Sequence, residues 1–229
     1  TNPEELLECR KQYPEMFPIA MHAPIFDLNP CSLNPRVAEL SADYTIECME
    51  ILYELGGGVI TIHPGRRTSK RPAEEKDRRR LSVYLDKIDK ALDSDKIHVS
   101  LENMPPAVNA LMVTPDEIRK ELDERSWLSF TFDYCHALLS GGCADNALKF
   151  IDECGDRMAN IHSSFGGEAM MHVPLRGRIE GDMLKKKLSE INYQGLLTFE
   201  FDDLQTKDSS VESKIRNLHD EREYFMRCI

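Results

Sequence analysis

The sequence predicts an α/β fold in which parallel strands and crossover helices build a barrel. Three observations predict it. Strand-like runs alternate with helical patterns along the chain, five strands end in ionisable residues at the same end, and no linker or repeat divides the 229 residues. A single domain over residues 1–229 is expected.

The elements follow in order. NPEELLECRKQY, near the start, is amphipathic, and PIAMHAPI (18–25) reads as the first strand. Asn34-Pro35 supplies an N-cap and a first-turn proline. Val37, Leu40, Tyr44, Cys48, Ile51, Leu52 and Leu55 then recur at helical spacing until Gly56-Gly57-Gly58 ends the run. GVITIH (58–63) is the next strand, and a charged loop and a helix near 73–93 lead to IHVSLE (97–102). Thr114-Pro115-Asp116-Glu117 is a capping box that opens a helix to about Arg125. LSFTFD (128–133), a helix near 142–154, MANIH (158–162), a glycine-rich stretch and a helix near 179–192 come next. LLTFEF (196–201) is the last strand, followed by a charged helix near 209–227.

Composition narrows the function classes. With 41% hydrophobic residues and a mean hydropathy of -0.44, the chain can bury a core and is not disordered. No apolar run approaches the ~18 residues of a membrane span. The balance of 29 Lys+Arg against 40 Asp+Glu gives a net charge of -11, which repels nucleic acid and anionic lipid unless basic charge is concentrated locally. Seven scattered cysteines with no C-x-x-C pair argue against a disulfide framework or a zinc ribbon and suit a reducing cytoplasm. The chain starts at Thr1 without a signal peptide, and the missing initiator Met suggests residues upstream.

A barrel rather than an open sheet follows from where the polar residues fall, because strand side chains alternate faces. Val59, Thr61 and His63 share one face; so do His98, Ser100 and Glu102; Ser129, Thr131 and Asp133; Met158, Asn160 and His162; Leu196, Thr198 and Glu200. Ile60, Ile62, Val99, Leu101, Phe130, Phe132, Ile161, Leu197 and Phe199 take the opposite face and are expected to meet helices. A closed barrel brings such strand ends to one mouth, where barrel active sites lie. His22, His63, Glu102, Asp133, His136, His162, His172 and Glu200 converge there, and imidazole with carboxylate is a ligand set for Zn, Mn, Fe or Co.

At these residues a resemblance becomes specific. MHAPI, TIHPG, SLEN, FDYCHA, NIHSS, HVPLRG and FEF, in this order over residues 4–203, resemble the xylose-isomerase-like TIM barrel superfamily. That group holds metal-dependent sugar isomerases and epimerases as well as endonuclease IV. The resemblance implies a TIM-type barrel with one divalent ion held by Glu102, Asp133, His162 and Glu200. It implies that Glu102 and Glu200 move a proton between neighbouring carbons of a sugar or sugar phosphate through an enediolate, while the ion stabilises the developing oxyanion. His136 and His172 match family histidines at the site, and Arg176 stands where that motif usually has glycine.

Against the endonuclease IV pattern of three zinc ions, His63 and Glu102 match the first site. Its remaining histidine is expected near DLNP (27–30), which has none. His136 and His172 match the third, and Met170 stands where its aspartate is expected. The family barrel also has eight strands, whereas six are legible here, one or two strand–helix units being unaccounted for before PIAMHAPI. A barrel so shortened exposes strand edges that call for a cover or a partner, a second copy included.

Several residues are weighed against plainer roles. His22 either lines the mouth or only hydrogen-bonds at a strand end; His98 is expected in the core and His219 at the surface. Cys135 should point away from Asp133 and His136, and Asp27, Asp202 and Asp203 read as loop residues. After His63 comes PGRRTSKRPAEEKDRRR, a basic stretch starting at the mouth. Arg66 and Arg67, joined by Arg176 and Arg178, are candidate contacts for a phosphosugar phosphate or a nucleic-acid backbone. The resulting expectation is a sugar or sugar-phosphate isomerase or epimerase with a divalent ion. An endonuclease IV-like phosphodiesterase on abasic-site DNA and a non-catalytic metal-binding barrel are the alternatives.

Overall fold

The computed structural model describes residues 2–72, 74–92, 95–202, 208 and 210–227. Its strands are β1 (Ile19–His22), β2 (Gly58–Ile62), β3 (Ile97–Glu102), β4 (Ser129–Asp133), β5 (Met158–Ser163), β6 (Phe165–Gly167), β7 (Met170–Val173) and β8 (Leu196–Phe199). The helices are α1 (Pro3–Gln12), α2 (Pro35–Glu54), α3 (Glu74–Ala91), α4 (Pro115–Glu124), α5 (Tyr134–Gly141), α6 (Ala144–Ala147), α7 (Lys149–Cys154), α8 (Ile179–Glu190) and α9 (Val211–Met226). Six strands pair in parallel in the order β1-β2-β3-β4-β5-β8 and form a nearly closed barrel, with β1 and β8 as its edges. Strands β6 and β7 form a separate antiparallel pair that follows β5 in the chain and packs against α5.

Local chemistry explains the main crossovers. Asn34 caps α2 by accepting the Arg36 N–H, Pro35 occupies the first turn, and Ser41, Ala42, Thr45, Met49 and Leu52 form its buried stripe. The helix stops at Gly56-Gly57, and Gly58 then enters β2 with φ +148, so close to β1 that a Cβ would lie 2.1 Å from the Ile19 carbonyl oxygen. The expected capping box opens α4, with Thr114 and Glu117 each accepting the other's backbone N–H.

The face pattern is borne out where strands are interior. Ile60, Ile62, Val99, Leu101, Phe130, Phe132 and Ile161 are buried against the helices. Leu197 and Phe199 are only half-buried, because β8 is an edge strand. Inside the barrel the polar residues bond to one another: the Thr131 hydroxyl donates to Ser100 at 2.8 Å and lies 3.0 Å from the Thr61 hydroxyl, and Thr198 donates to Asn160 at 2.9 Å. This layer is the floor of the mouth. It satisfies buried hydroxyls that would otherwise carry an unpaired-polar cost of about 1–3 kcal/mol each.

Three elements differ from the sequence expectation. Helix α5 starts directly at the end of β4, because Asp133 both ends the strand and caps the helix. The helix expected near 142–154 is two short pieces, α6 and α7. The glycine-rich stretch holds the β6–β7 hairpin. His98, expected in the core, is exposed: it sits at the N-terminal end of β3, the end opposite the mouth. His219 is a surface residue of α9. Asp203 lies outside the described residues, while Asp27 and Asp202 lie outside the helices and strands.

Candidate metal centre at the barrel mouth

The strand register brings the mouth residues together. Asp133 of β4 is the direct partner of His162 on β5, Glu102 of β3 pairs with Thr131, and Thr198 of β8 pairs with His162, which places Glu200 one step above it. Three carboxylates then converge on one imidazole nitrogen. His162 Nδ1 lies 3.1 Å from Glu102 Oε1, 3.0 Å from Glu200 Oε2 and 3.8 Å from Asp133 Oδ2.

Glu102, Asp133 and His162 are buried, while the Glu200 side chain is 39% exposed and faces the opening. Asp133 Oδ2 is shielded from solvent and has no hydrogen-bond partner, and Glu200 Oε2, equally shielded, has only the His162 Nδ1 that it shares with Glu102. Under-satisfied carboxylate oxygens beside an imidazole are a cation's donor set, so these four residues fit a divalent ion.

Without an ion a proton does part of that work. Burial lowers the His162 pKa, but Glu102 and Glu200 outweigh it and push the imidazole up to about 11. Burial raises Glu102, but the charges of His63 and His162 and the hydrogen bonds from His162 and His22 hold it well below the usual carboxylate range. Glu200 is carried to about 2, burial being overcome by the bond and charge of His162. Asp133 goes the other way: burial first, then the charges of Glu102 and Glu200, raise it well above an ordinary aspartate.

Two further groups share these carboxylates. Glu102 Oε2 is 2.9 Å from His63 Nε2 and 3.3 Å from His22 Nε2. His22 points Nδ1 at its neighbour's carbonyl, the Ala23 oxygen at 2.7 Å, which leaves Nε2 facing the carboxylate. On the other side Asp133, His136 and His172 gather. His136 Nδ1 donates to the Asn103 carbonyl at 2.9 Å, and Ser164 Oγ lies 3.1 Å from His172 Nδ1. In each of the three groups, one ligand atom per residue lies within 4.8 Å of the others.

The loop at 27–30 holds no histidine and Met170 no carboxylate, as the sequence reads, but other residues stand near both places: His22 approaches the His63–Glu102 pair from β1, and Asp133 lies beside His136 and His172.

Sequence reasoning missed Asn103 as a site residue. Its buried side chain accepts the Asp133 N–H at 2.8 Å and donates to the Asp133 carbonyl at 2.9 Å, while its own carbonyl orients His136. Its position directly after Glu102 was the available signal. Cys135 turns behind the site, where its sulfur accepts the His172 N–H, and burial pushes its thiol up to about 12. A nucleophile needs the thiolate, so this environment does not make one.

The four arginines differ. Arg67 pairs with buried Asp77 at 3.3 Å. Arg176 binds Glu221 and Asn217 of α9. Arg178 lies over the Phe165 ring and donates to the Pro174 carbonyl. Arg66 alone of the four has an exposed side chain with no ion pair or hydrogen bond to the described residues. Among the described residues no helix is long and apolar enough to cross a membrane.

The comparisons agree with this architecture. A protein of Methanocaldococcus jannaschii whose name is "Uncharacterized protein" is 29% identical over 223 residues, covering 93% of this chain and 79% of that one. A D-tagatose 3-epimerase-like protein superposes with a TM-score of 0.82 at 24% identity, over 99% of this chain and 83% of that one. Endonuclease IV from Thermus thermophilus superposes with a TM-score of 0.71 at 18% identity, over 98% and 81%. At these identities the superpositions speak for the fold. A family model described as xylose isomerase-like TIM barrel matches residues 1–221, and the chain belongs to that family.

Proposed function

We propose that the chain is a divalent-metal-dependent isomerase or epimerase of a sugar or sugar phosphate. The observation that carries this reading is the convergence of Glu102, Asp133 and Glu200 on the one Nδ1 of His162, with Asp133 Oδ2 left without a hydrogen-bond partner. These four residues would hold the ion, which when bound supplies a Lewis acid for adjacent sugar oxygens. Glu102 and Glu200 are the acid/base pair. Glu200, partly exposed and ionised, is the carboxylate a substrate meets first; Glu102, buried among three imidazoles, stays an anion at neutral pH. His63, His136 and His172 surround the sugar with imidazoles whose orientation is fixed from behind by Glu102, Asn103 and Ser164.

A second reading, metal-dependent phosphodiester hydrolysis, draws on His22, which completes the His22–His63–Glu102 group. Two observations favour proton transfer over it. Asp133 stands in both the His162 group and the His136–His172 group, and its Oδ1 already accepts the His136 N–H at 2.6 Å, so one carboxylate would have to serve two ions as well as that bond. Three of the four candidate arginines are turned inward on a body of net charge -11, a poor surface for a polyanion.

The test is solvent isotope incorporation. Metal-loaded protein incubated in D2O with a panel of ketoses, aldoses and their phosphates should place deuterium on a carbon beside the carbonyl, read by NMR. Glu102→Gln and Glu200→Gln should each abolish it. Cleavage of an abasic-site duplex with no exchange into any sugar would favour the second reading.

A further inference from the structure

Beside His63 a cavity of about 410 Å³ opens next to the metal-ligand groups. Ala23, Phe26, Asp27, Arg66, Tyr84 and Met104 are among its lining residues. Its lining mixes polar and apolar groups, and Arg66 is the one arginine or lysine in it.

The backbone of Arg66 is held unusually firmly for a loop residue. Buried Asn29 clamps it from both sides: Asn29 Oδ1 accepts the Arg66 N–H and Asn29 Nδ2 donates to the Arg66 carbonyl, both at 3.0 Å. Arg66 also bridges to Ala110, and Arg67 N–H donates to the Asn109 carbonyl at 2.8 Å. The turn before it depends on Gly65, at φ +79, where a Cβ would lie 2.6 Å from Asn29 Oδ1. Yet the side chain on this fixed backbone is exposed and makes no ion pair with the described residues, while its neighbour Arg67 turns inward to Asp77. Asp27, in the same lining and at φ 61, does not pair with it. The cavity thus offers one cation on a fixed backbone, unpaired among the described residues, and one carboxylate acceptor near the mouth, with Phe26, 87% exposed, in its lining.

We propose that this cavity is the specificity subsite for the far end of a phosphorylated substrate. Arg66 binds a phosphate monoester there, Asp27 accepts a sugar hydroxyl, and Phe26 covers the bound chain. A guanidinium fork matches phosphate oxygens in pairs, and a fixed backbone lowers the ordering cost of that contact. The proposal rests on the proton-transfer reading for the chemistry at the mouth, but its binding step is measured without turnover.

The experiment is calorimetric titration of the full chain with glycerol 3-phosphate, glycerol and inorganic phosphate, with and without added divalent metal. Glycerol 3-phosphate should bind in both metal states and more tightly than glycerol. Its affinity should fall with added salt. Arg66→Ala should weaken it by about tenfold or more, the size of one lost charge-assisted contact, and Arg66→Lys should restore part of it. Arg79→Ala, a change on α3 away from this cavity, should leave it unchanged. Equal binding of glycerol and glycerol 3-phosphate, or an Arg66→Ala titration like that of the parent chain, would overturn the proposal while leaving the deuterium test of the mouth intact. Tight binding of an abasic or intact duplex that Arg66→Ala weakens more than it weakens glycerol 3-phosphate would assign Arg66 to a nucleic-acid backbone and overturn it as well.

Discussion

Glu102 and His162 lie 60 residues apart in sequence, yet their Oε1 and Nδ1 atoms stand 3.1 Å apart at the top of two strands separated by one other. The contact is made by a carboxylate held below its ordinary range and an imidazole held at about 11, so in the metal-free chain it is an ion pair.

Its pH dependence has a definite sign. Raised above its ordinary 6.5, His162 contributes stability that is complete below 6.5 and is lost as pH rises toward about 11. Glu102, lowered from 4.5, contributes stability that is complete above 4.5 and is lost as pH falls through its depressed value. Glu200, lowered from 4.5 to about 2, adds to the same acid arm. Thermal denaturation of chelator-treated protein should therefore show these contributions fully present between 4.5 and 6.5, with a decline toward alkaline pH that Glu102→Gln flattens. An alkaline arm of equal slope in both proteins would contradict the ion pair.

Divalent metal should reverse that alkaline trend. A ligand imidazole must be unprotonated, so binding releases the proton that His162 otherwise holds. Apparent metal affinity should rise with pH, and proton release should be measurable by titration in two buffers of different ionisation enthalpy. Affinity that does not change between pH 6 and pH 8 would count against His162 as a ligand.

Asn103 is predicted to matter as much as a ligand. Asn103→Ala removes the side-chain partners of both the Asp133 N–H and the Asp133 carbonyl in a fully buried setting. A loss of about 2–6 kcal/mol in denaturant unfolding is expected, from two buried groups left unpaired at about 1–3 kcal/mol each. Metal affinity should fall alongside it, because Asp133 loses its fixed position. A variant as stable as the parent would show that the bridge is not needed.

His22 and His63 mark whether a second ion is held. The double change His22→Ala with His63→Ala should leave the first binding event intact and remove any second, weaker one in a zinc titration. If a single ion is lost with this pair while Glu200→Gln still binds it, the ion belongs to the His22–His63–Glu102 group rather than to His162.

Much of this site was legible because strand alternation is a strict code. Val59–Thr61–His63 and Ser129–Thr131–Asp133 announced both the polar layer and the mouth residues above it, and the layer is present as Thr61–Thr131–Ser100. What alternation cannot convey is which strand end meets which. His22 was weighed as a mouth residue, but its approach to Glu102 depends on where β1 lies beside β2, and that is set by close packing at Gly58. Helix α5 was missed because Asp133 carries two local signals at once, strand end and helix cap, with no intervening loop. The β6–β7 hairpin was missed because Phe165-Gly166-Gly167 carries no alternating pattern. The arginines shared one reading in sequence, and only their partners separate Arg66 from Arg67, Arg176 and Arg178.

The central claim is that Glu102, Asp133, His162 and Glu200 hold a divalent ion. Elemental analysis of protein purified without chelator, beside His162→Ala and Glu200→Gln, tests it most directly. About one equivalent of Mn, Co, Fe or Zn per chain, lost in both variants, is the predicted result. A parent chain that stays metal-free after each ion is added back, or variants that retain the parent's metal, would contradict it.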